Sequence, residues 1–428
     1  MPEFTPKIRA DLPPLVSNGS LRRFLPANAE ENPAKKARNS RYSLLRGLSK
    51  AIWAGNLPAH GSRFCSRKAI PAQTKKKDGT WVPTGMPGNI EVQARAEGTH
   101  SYHGLGRCAS PLVCPFCSAV IQAHRAAEVM RAGQYMLAHG FQVAMITQTA
   151  SHSCATSLID FVARFQAAQR DMKEHWQYKQ WQKKTGAKFT IRAVETTDDN
   201  PDVRGGKSGW HFHSHTLVFF ERDKAFTALE AVHFTELFQK MWVKALAGVG
   251  LEGSLERAAR VDLPRANEKL DAARAEENSE SVNNLCAYIS KAFGWEMSGG
   301  RNKKGREQGR RISVWELQAA ALTDRPDLLP RYAEYMKAIK GVNWLRWSQG
   351  LRQFCGIVEE SDKEIMERGE GGEETVWTFS NSEFAHVWRQ GGQGKILDAA
   401  DREGFLGIAR AINAAMQNCD IETGEELQ

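Results

Sequence analysis

Apolar and polar positions alternate strictly along Gly209–Phe220: Trp210, Phe212, Thr216 and Val218 fall on one face of an extended chain, and His211, His213 and His215 on the other. The pattern predicts a β-strand anchored in a core by the run Thr216–Phe220. A second strand is predicted at Phe189–Thr197, joined to the first by an Asp/Asn/Gly-rich loop and paired with it as a hairpin. Helical spacing governs other stretches. Val120, Ile121, Val129, Met130, Met136 and Leu137 predict a helix over Ser118–Gly140, and Leu158, Phe161, Val162, Phe165, Met172 and Trp176 one over Ser157–Lys184. Phe226, Leu229, Phe234, Leu237 and Met241 predict a third over Ala225–Ala247. Strands are expected at Phe141–Thr149 and Ala259–Leu263, a closing helix at Glu277–Phe293, and a helical segment at Ile312–Ala338. The order strand, helix, strand, strand, helix, strand, helix is that of an α+β fold on the ferredoxin-like, split βαβ plan with a central antiparallel sheet.

At 428 residues the chain has room for two or three domains. Residues 1–50 mix Pro, Asn, Ser and basic residues without sustained periodicity and read as a flexible basic arm. Residues 51–125 read as a small loop-rich module, 126–300 as the sheet domain, 301–355 as a basic loop with a helical segment, and 356–428 as an acidic C-terminal region. The net charge of +9 conceals an asymmetry: residues 1–100 carry 17 Lys/Arg against 7 Asp/Glu, whereas residues 356–428 carry 6 against 16. The basic end favours a polyanionic partner through counterion release. No apolar run reaches the roughly 18 residues of a membrane span, and the N-terminus lacks a signal-peptide pattern, so no membrane role and a cytoplasmic location are expected. Eight cysteines in so long a chain are too sparse for a disulfide scaffold.

Three of those cysteines carry chemistry. Cys108, Cys114 and Cys117 stand in GLGRCASPLVCPFC, where the Cys-Pro-Phe-Cys knuckle gives two thiolates at the spacing that Zn²⁺ prefers and Cys108 a third. A closed structural site needs a fourth ligand, with Cys65, His103 and His124 as candidates. The three strand histidines form a second ligand row, and Glu195, near the loop end of the facing strand, is placed to complete it. Such mixed imidazole and carboxylate donors suit Mn²⁺ or Mg²⁺ able to hold a phosphate oxygen. Glu195 could instead be a rim carboxylate paired with Arg192 or Lys207.

On the Glu277–Phe293 helix, Val282, Leu285, Cys286, Ile289 and Phe293 form an apolar stripe, and Asn284, Tyr288 and Lys291 lie on the opposite side. Tyr288 is therefore off the core face, with Lys291 one turn away to stabilise a phenolate or a phosphate. Directly beyond, Arg301, Lys303, Lys304, Arg306, Arg310 and Arg311 surround the single acid Glu307, a pattern that fits phosphate-backbone contact.

Taken in order over Gly104–Phe354, the Cys knuckle, TQT before His152, VETT with Glu195, WHFHSH, the AYISK of Tyr288 and Lys291, and WSQGL at Trp347–Leu351 resemble the replication initiators of small rolling-circle plasmids, members of the HUH endonuclease superfamily. The resemblance implies that His213 and His215 hold a divalent metal. It implies that Tyr288 attacks a DNA phosphodiester, forming a 5′-phosphotyrosine and releasing a 3′-OH primer. The expected partners are single-stranded and double-stranded DNA at a plasmid origin, together with a host helicase. The chain departs from the family at Ser214, where the residue between the paired histidines is usually apolar, and at Asn284, where relatives with one tyrosine often carry a glutamate base. Alternatives are a mobilisation relaxase or transposase with the same chemistry, a zinc-containing DNA-binding regulator that does not cleave, and a phosphoesterase using metal-bound water, which would leave no protein–DNA adduct.

Overall fold

The structure is a computed structural model that describes residues 33–76, 81–96, 98–153, 155–199, 209–222, 226–262, 311–368 and 374–417. The expected helix Glu277–Phe293 with Asn284, Tyr288 and Lys291, the basic residues Arg301–Arg310, Lys207 and Leu263 lie outside them.

The chain is a mixed α/β protein whose sheets are antiparallel throughout. Helix α1 (Pro33–Trp53) leads into the hairpin β1 (Pro71–Lys75) and β2 (Trp81–Pro87), then β3 (Ile90–Ala94) and β4 (His100–His103). Next come α2 (Pro115–Ala138), β5 (Phe141–Gln148), α3 (Leu158–Glu174), α4 (Trp176–Thr185), β6 (Ala187–Asp199), β7 (His211–Glu221), α5 (Ala228–Gly248) and β8 (Ala259–Asp262). After the undescribed segment, β9 (Arg311–Ser313), helices Val314–Leu322 and Leu329–Ala338, and β10 (Leu345–Trp347) follow, and the C-terminal region contributes β11 (Glu374–Phe379) and two further helices, Asn381–Gln390 and Gln393–Met416.

The large sheet runs β10-β6-β7-β5-β8, with β9 also paired to β6. Strand β7 lies between two partners along its length, which is why Thr216–Phe220 reads as an unbroken apolar run: Leu217, Phe219 and Phe220 are each fully buried. Helices α3, α4 and α5 cover the face of Phe212, through contacts such as Phe165 on Phe212 and Trp181 on Phe220.

Three expectations change. The single helix over Ser157–Lys184 is two, because His175 takes an extended conformation (φ −67°, ψ 140°): its N–H closes α3 on Asp171 and Met172, and its ring accepts the N–H of Gln177 to open α4. The helical segment Ile312–Ala338 begins as strand β9, and Ser313 then caps the following helix in a reciprocal pair with Glu316. Part of the flexible arm is folded, since Pro33–Trp53 is α1 and buries Tyr42, Leu45, Leu48 and Ile52 at helical spacing. The acidic C-terminal region is folded too. Strand β11 pairs with β3, and with β4 and the two last helices it builds a second core around Tyr42, Val92, Tyr102, Phe384 and Ile396.

Candidate functional site

Register places the donors. Glu195 lies directly opposite His213 across the β6–β7 ladder, and Thr147 of β5 directly opposite His215. Glu195 Oε2 sits 3.1 Å from His213 Nε2 and 3.4 Å from His215 Nε2. Burial pushes the Glu195 carboxyl up, but hydrogen bonds and charge from His213 and His215 outweigh it and hold the group well below the usual carboxylate range. Arg192 projects from the opposite face of β6, where it donates to Gln169, so the Glu195–Arg192 pairing does not occur.

Glu195, His213 and His215 bring one ligand atom each to within 4.8 Å of one another. The donor set fits a divalent cation: two imidazoles and one carboxylate converge, and His213 Nδ1 is buried without a hydrogen-bond partner among the described residues. Thr147 Oγ1 lies 3.0 Å from His215 Nδ1. With the Nδ1 proton donated to Thr147, His215 presents its Nε2 lone pair toward Glu195.

His211 stands apart from this set. Its Nδ1 lies 2.9 Å from His152 Nε2, and burial, then the charges of His213, Arg311 and His152, push it down to about 3. Arg311 belongs to β9 rather than to a loop; it pairs in register with Asp199, and its guanidinium reaches within 3.4 Å of His152. A cation therefore stands beside the histidine row.

Ser214 has a structural reason. It points away from the histidines into a buried polar network, where Gln169 Nε2 of α3 donates to Ser214 Oγ (2.8 Å) and Gln148 Oε1 (3.0 Å), and Arg192 donates to Gln169.

The chain is 23% identical over 320 residues to Protein rep of Streptomyces lividans, a span of 63% of this chain and 68% of that protein. No family model matches the chain, and no solved structure matches it.

A second donor set forms at the start of α2. Cys65, Cys108, Cys114 and Cys117 converge, with sulfur separations of 3.5 Å (Cys65–Cys117), 3.6 Å (Cys65–Cys114) and 3.8 Å (Cys108–Cys117). Four thiolates at tetrahedral Zn–S distances of about 2.3 Å would be about 3.8 Å apart, so the set fits Zn²⁺. Hydrogen bonds from Cys108, Cys114 and Cys117 already hold Cys65 well below the usual thiol range. The fourth member is Cys65; His103 lies on β4 opposite Glu91, and His124 lies 3.4 Å from Glu128 and 3.3 Å from Glu360. Gly104, φ +77°, feeds the Cys108 loop where a Cβ would fall 2.0 Å from the Asn89 carbonyl oxygen, so only glycine fits. His124, Glu128 and Glu360 also lie close together, but Glu128 is taken up by Arg125 and Arg352 and serves an ion-pair network.

Sequence reasoning missed Thr147, His152 and Gln169 as partners of the histidine strand. The TQT segment carries Thr147, but its place beside His215 depends on strand register, which no local pattern encodes.

Proposed function

We propose that the protein is a plasmid replication initiator, a metal-dependent, site-specific enzyme that nicks and rejoins single-stranded DNA at a replication origin through a tyrosine nucleophile. The observation that carries this reading is the convergence of His213, His215 and Glu195 on two adjacent strands, with Arg311 at the same end of the sheet. Two others support it. The strands before the undescribed segment follow the spatial order β8-β5-β7-β6, with α3 and α4 leading from β5 to β6 and α5 from β7 toward β8, an order compatible with the split βαβ plan. The relative named Protein rep spans most of the chain.

In this reading His213, His215 and Glu195 would hold Mn²⁺ or Mg²⁺, which would supply positive charge for polarising a scissile phosphate. Arg311 neutralises phosphate charge from beside His152, and Thr147 keeps His215 in the ligating tautomer. The Tyr288 oxygen bonds to phosphorus as the P–O3′ bond breaks; the leaving oxygen takes a proton and becomes the 3′-OH primer, and rejoining runs the same steps in reverse. Lys291 favours the phenolate. The remaining tyrosines are poor competitors: Tyr42, Tyr102, Tyr178, Tyr332 and Tyr335 are each at most 7% exposed, and Tyr135 stacks on His139 at the far end of β5. Tyr332 and Tyr335 are core residues, bonded to Gln318 and to the Leu112 carbonyl. Cys65, Cys108, Cys114 and Cys117 would hold a structural Zn²⁺, and a host helicase would unwind the duplex from the nick.

The test is one gel. Incubated with Mn²⁺ and single-stranded oligonucleotides tiling the replicon, the protein should form an SDS-resistant adduct with one of them. Binding without cleavage would instead indicate a regulator, and cleavage without adduct a phosphoesterase.

A further inference from the structure

Away from the histidine site, at the junction of α1, the Cys65 turn and the C-terminal helices, aromatic rings and guanidinium groups alternate across the surface. Phe64 packs edge-on against Trp53, with centroids 5.5 Å apart. Arg63 lies over both rings, at 4.6 Å from Phe64 and 5.1 Å from Trp53. Arg67 bridges Trp53 (5.7 Å) and Trp388 (4.5 Å), and Lys68 approaches Phe64 at 5.8 Å. Lys50, Trp53, Arg67, Trp388 and Ser49 enclose a hollow of about 350 Å³. The rings are presented outward: Trp53 is 54% exposed and Phe64 37%. Among the described residues, none of Lys50, Arg63, Arg67 and Lys68 makes an ion pair.

We propose that this surface is a binding platform for single-stranded DNA, separate from the histidine site. Uncompensated cations attract the phosphate backbone, and exposed ring faces offer stacking to bases. The alternation decides between strand forms. A duplex hides its base faces and shows only edges, so the exposed Trp53 and Phe64 rings gain nothing from it; an unpaired strand offers one face per nucleotide. Beside the hollow a base can stack on the outward-facing Trp53 ring, with Arg67, held between Trp53 and Trp388, at the phosphate. Its floor is rigid because Cys65 sits between Phe64 and Arg67 in the sulfur cluster, and Ser49 Oγ donates to the Arg63 carbonyl. The identity of the polyanion rests on the DNA-processing reading above; the existence of the platform does not. A strand opened at an origin would be held here while its scissile phosphate is handled at the sheet.

The experiment is equilibrium binding of the full-length protein to a labelled oligothymidylate of about 20 nucleotides and to a duplex of equal length. Trp53→Ala and Trp388→Ala should each weaken oligothymidylate binding about tenfold and leave duplex binding within about twofold, while Trp53→Phe retains most of the affinity. Arg67→Gln, which leaves both rings in place, should reduce the salt slope of single-strand binding by about one. Unchanged oligothymidylate affinity in the alanine variants, equal loss for both strand forms, or no single-strand binding by the wild type would overturn the proposal. The readout needs no cleavage, so a wild-type protein that binds through these residues but forms no adduct would refute the nuclease reading alone.

Discussion

The hydroxyl of Thr147 lies 3.0 Å from His215 Nδ1, the nitrogen turned away from Glu195, where accepting the Nδ1 proton would favour the tautomer that leaves Nε2 for a cation. Thr147→Val keeps the shape and removes the hydrogen bond; metal affinity should fall about 10- to 100-fold, measured by titration with Mn²⁺, and an unchanged affinity would refute the orienting role. His213→Ala with His215→Ala should remove both the bound ion and nicking while the fold survives; full activity in Mn²⁺ would show that the row serves another purpose. The row itself was legible because strand alternation is a local property: three histidines two residues apart must share a face. Which of them converge with Glu195 was not legible, since that depends on the register of β6 against β7 and on His211 turning to His152. Ser214 looked anomalous for the same reason. Its partner Gln169 is 45 residues away on α3.

At the scale of elements, the order of strands and helices from α2 to β8 was readable from apolar spacing, whereas element ends depended on single side chains. His175 breaks a continuous helical pattern by capping in both directions, and Ser313 converts an expected helix start into a strand followed by a helix. Helix α1 escaped notice because its surface is strongly basic, although Tyr42, Leu45, Leu48 and Ile52 keep helical spacing. Helix α2 is tied to the C-terminal region through Arg125, which bonds Asp362, and to the segment before it through Glu128, which is 1% exposed and bonded to Arg125 and Arg352. Burial pushes Glu128 up, but His124, Arg125 and Arg352 more than reverse this and hold it below its ordinary value. A depressed carboxylate stabilises the fold above its unfolded pKa, and the contribution is lost as pH falls through the folded value. Glu128→Gln should therefore lower stability at pH 7, by about 1–3 kcal/mol because Arg125 and Arg352 each lose one counter-charge and keep Asp362 and Glu359. The gap from wild type should narrow as the pH drops below about 4.3. A gap in denaturant midpoint that widens on acidification would contradict this.

Over the whole molecule, the charge asymmetry is partly an internal pairing. Arg38 of α1 bonds Asp398 and Asp401 of the last helix, Asn39 bonds Asp398, and the His100 backbone N–H bonds Asp401, so the acidic end lies against the inner side of the basic end. Lys50, Arg63, Arg67 and Lys68 of the aromatic platform make no ion pair among the described residues. Composition reported the two charge blocks but not their contact, because the partners are some 360 residues apart. The same distance problem left Cys65, 49 residues before Cys114, as one of three candidate fourth ligands. The purified protein should carry one zinc in its cysteine cluster: Cys65→Ser should lower zinc content by elemental analysis and loosen the module, whereas His103→Ala should leave the content unchanged. An equal loss from both variants would contradict the four-cysteine assignment. The central claim, a tyrosine nucleophile working beside the histidine row, is tested most directly by peptide mapping of the DNA adduct formed in Mn²⁺. The account predicts the nucleotide on Tyr288 and no adduct from Tyr288→Phe with single-strand binding retained. A nucleotide on any other residue, or undiminished adduct from the phenylalanine variant, would contradict it.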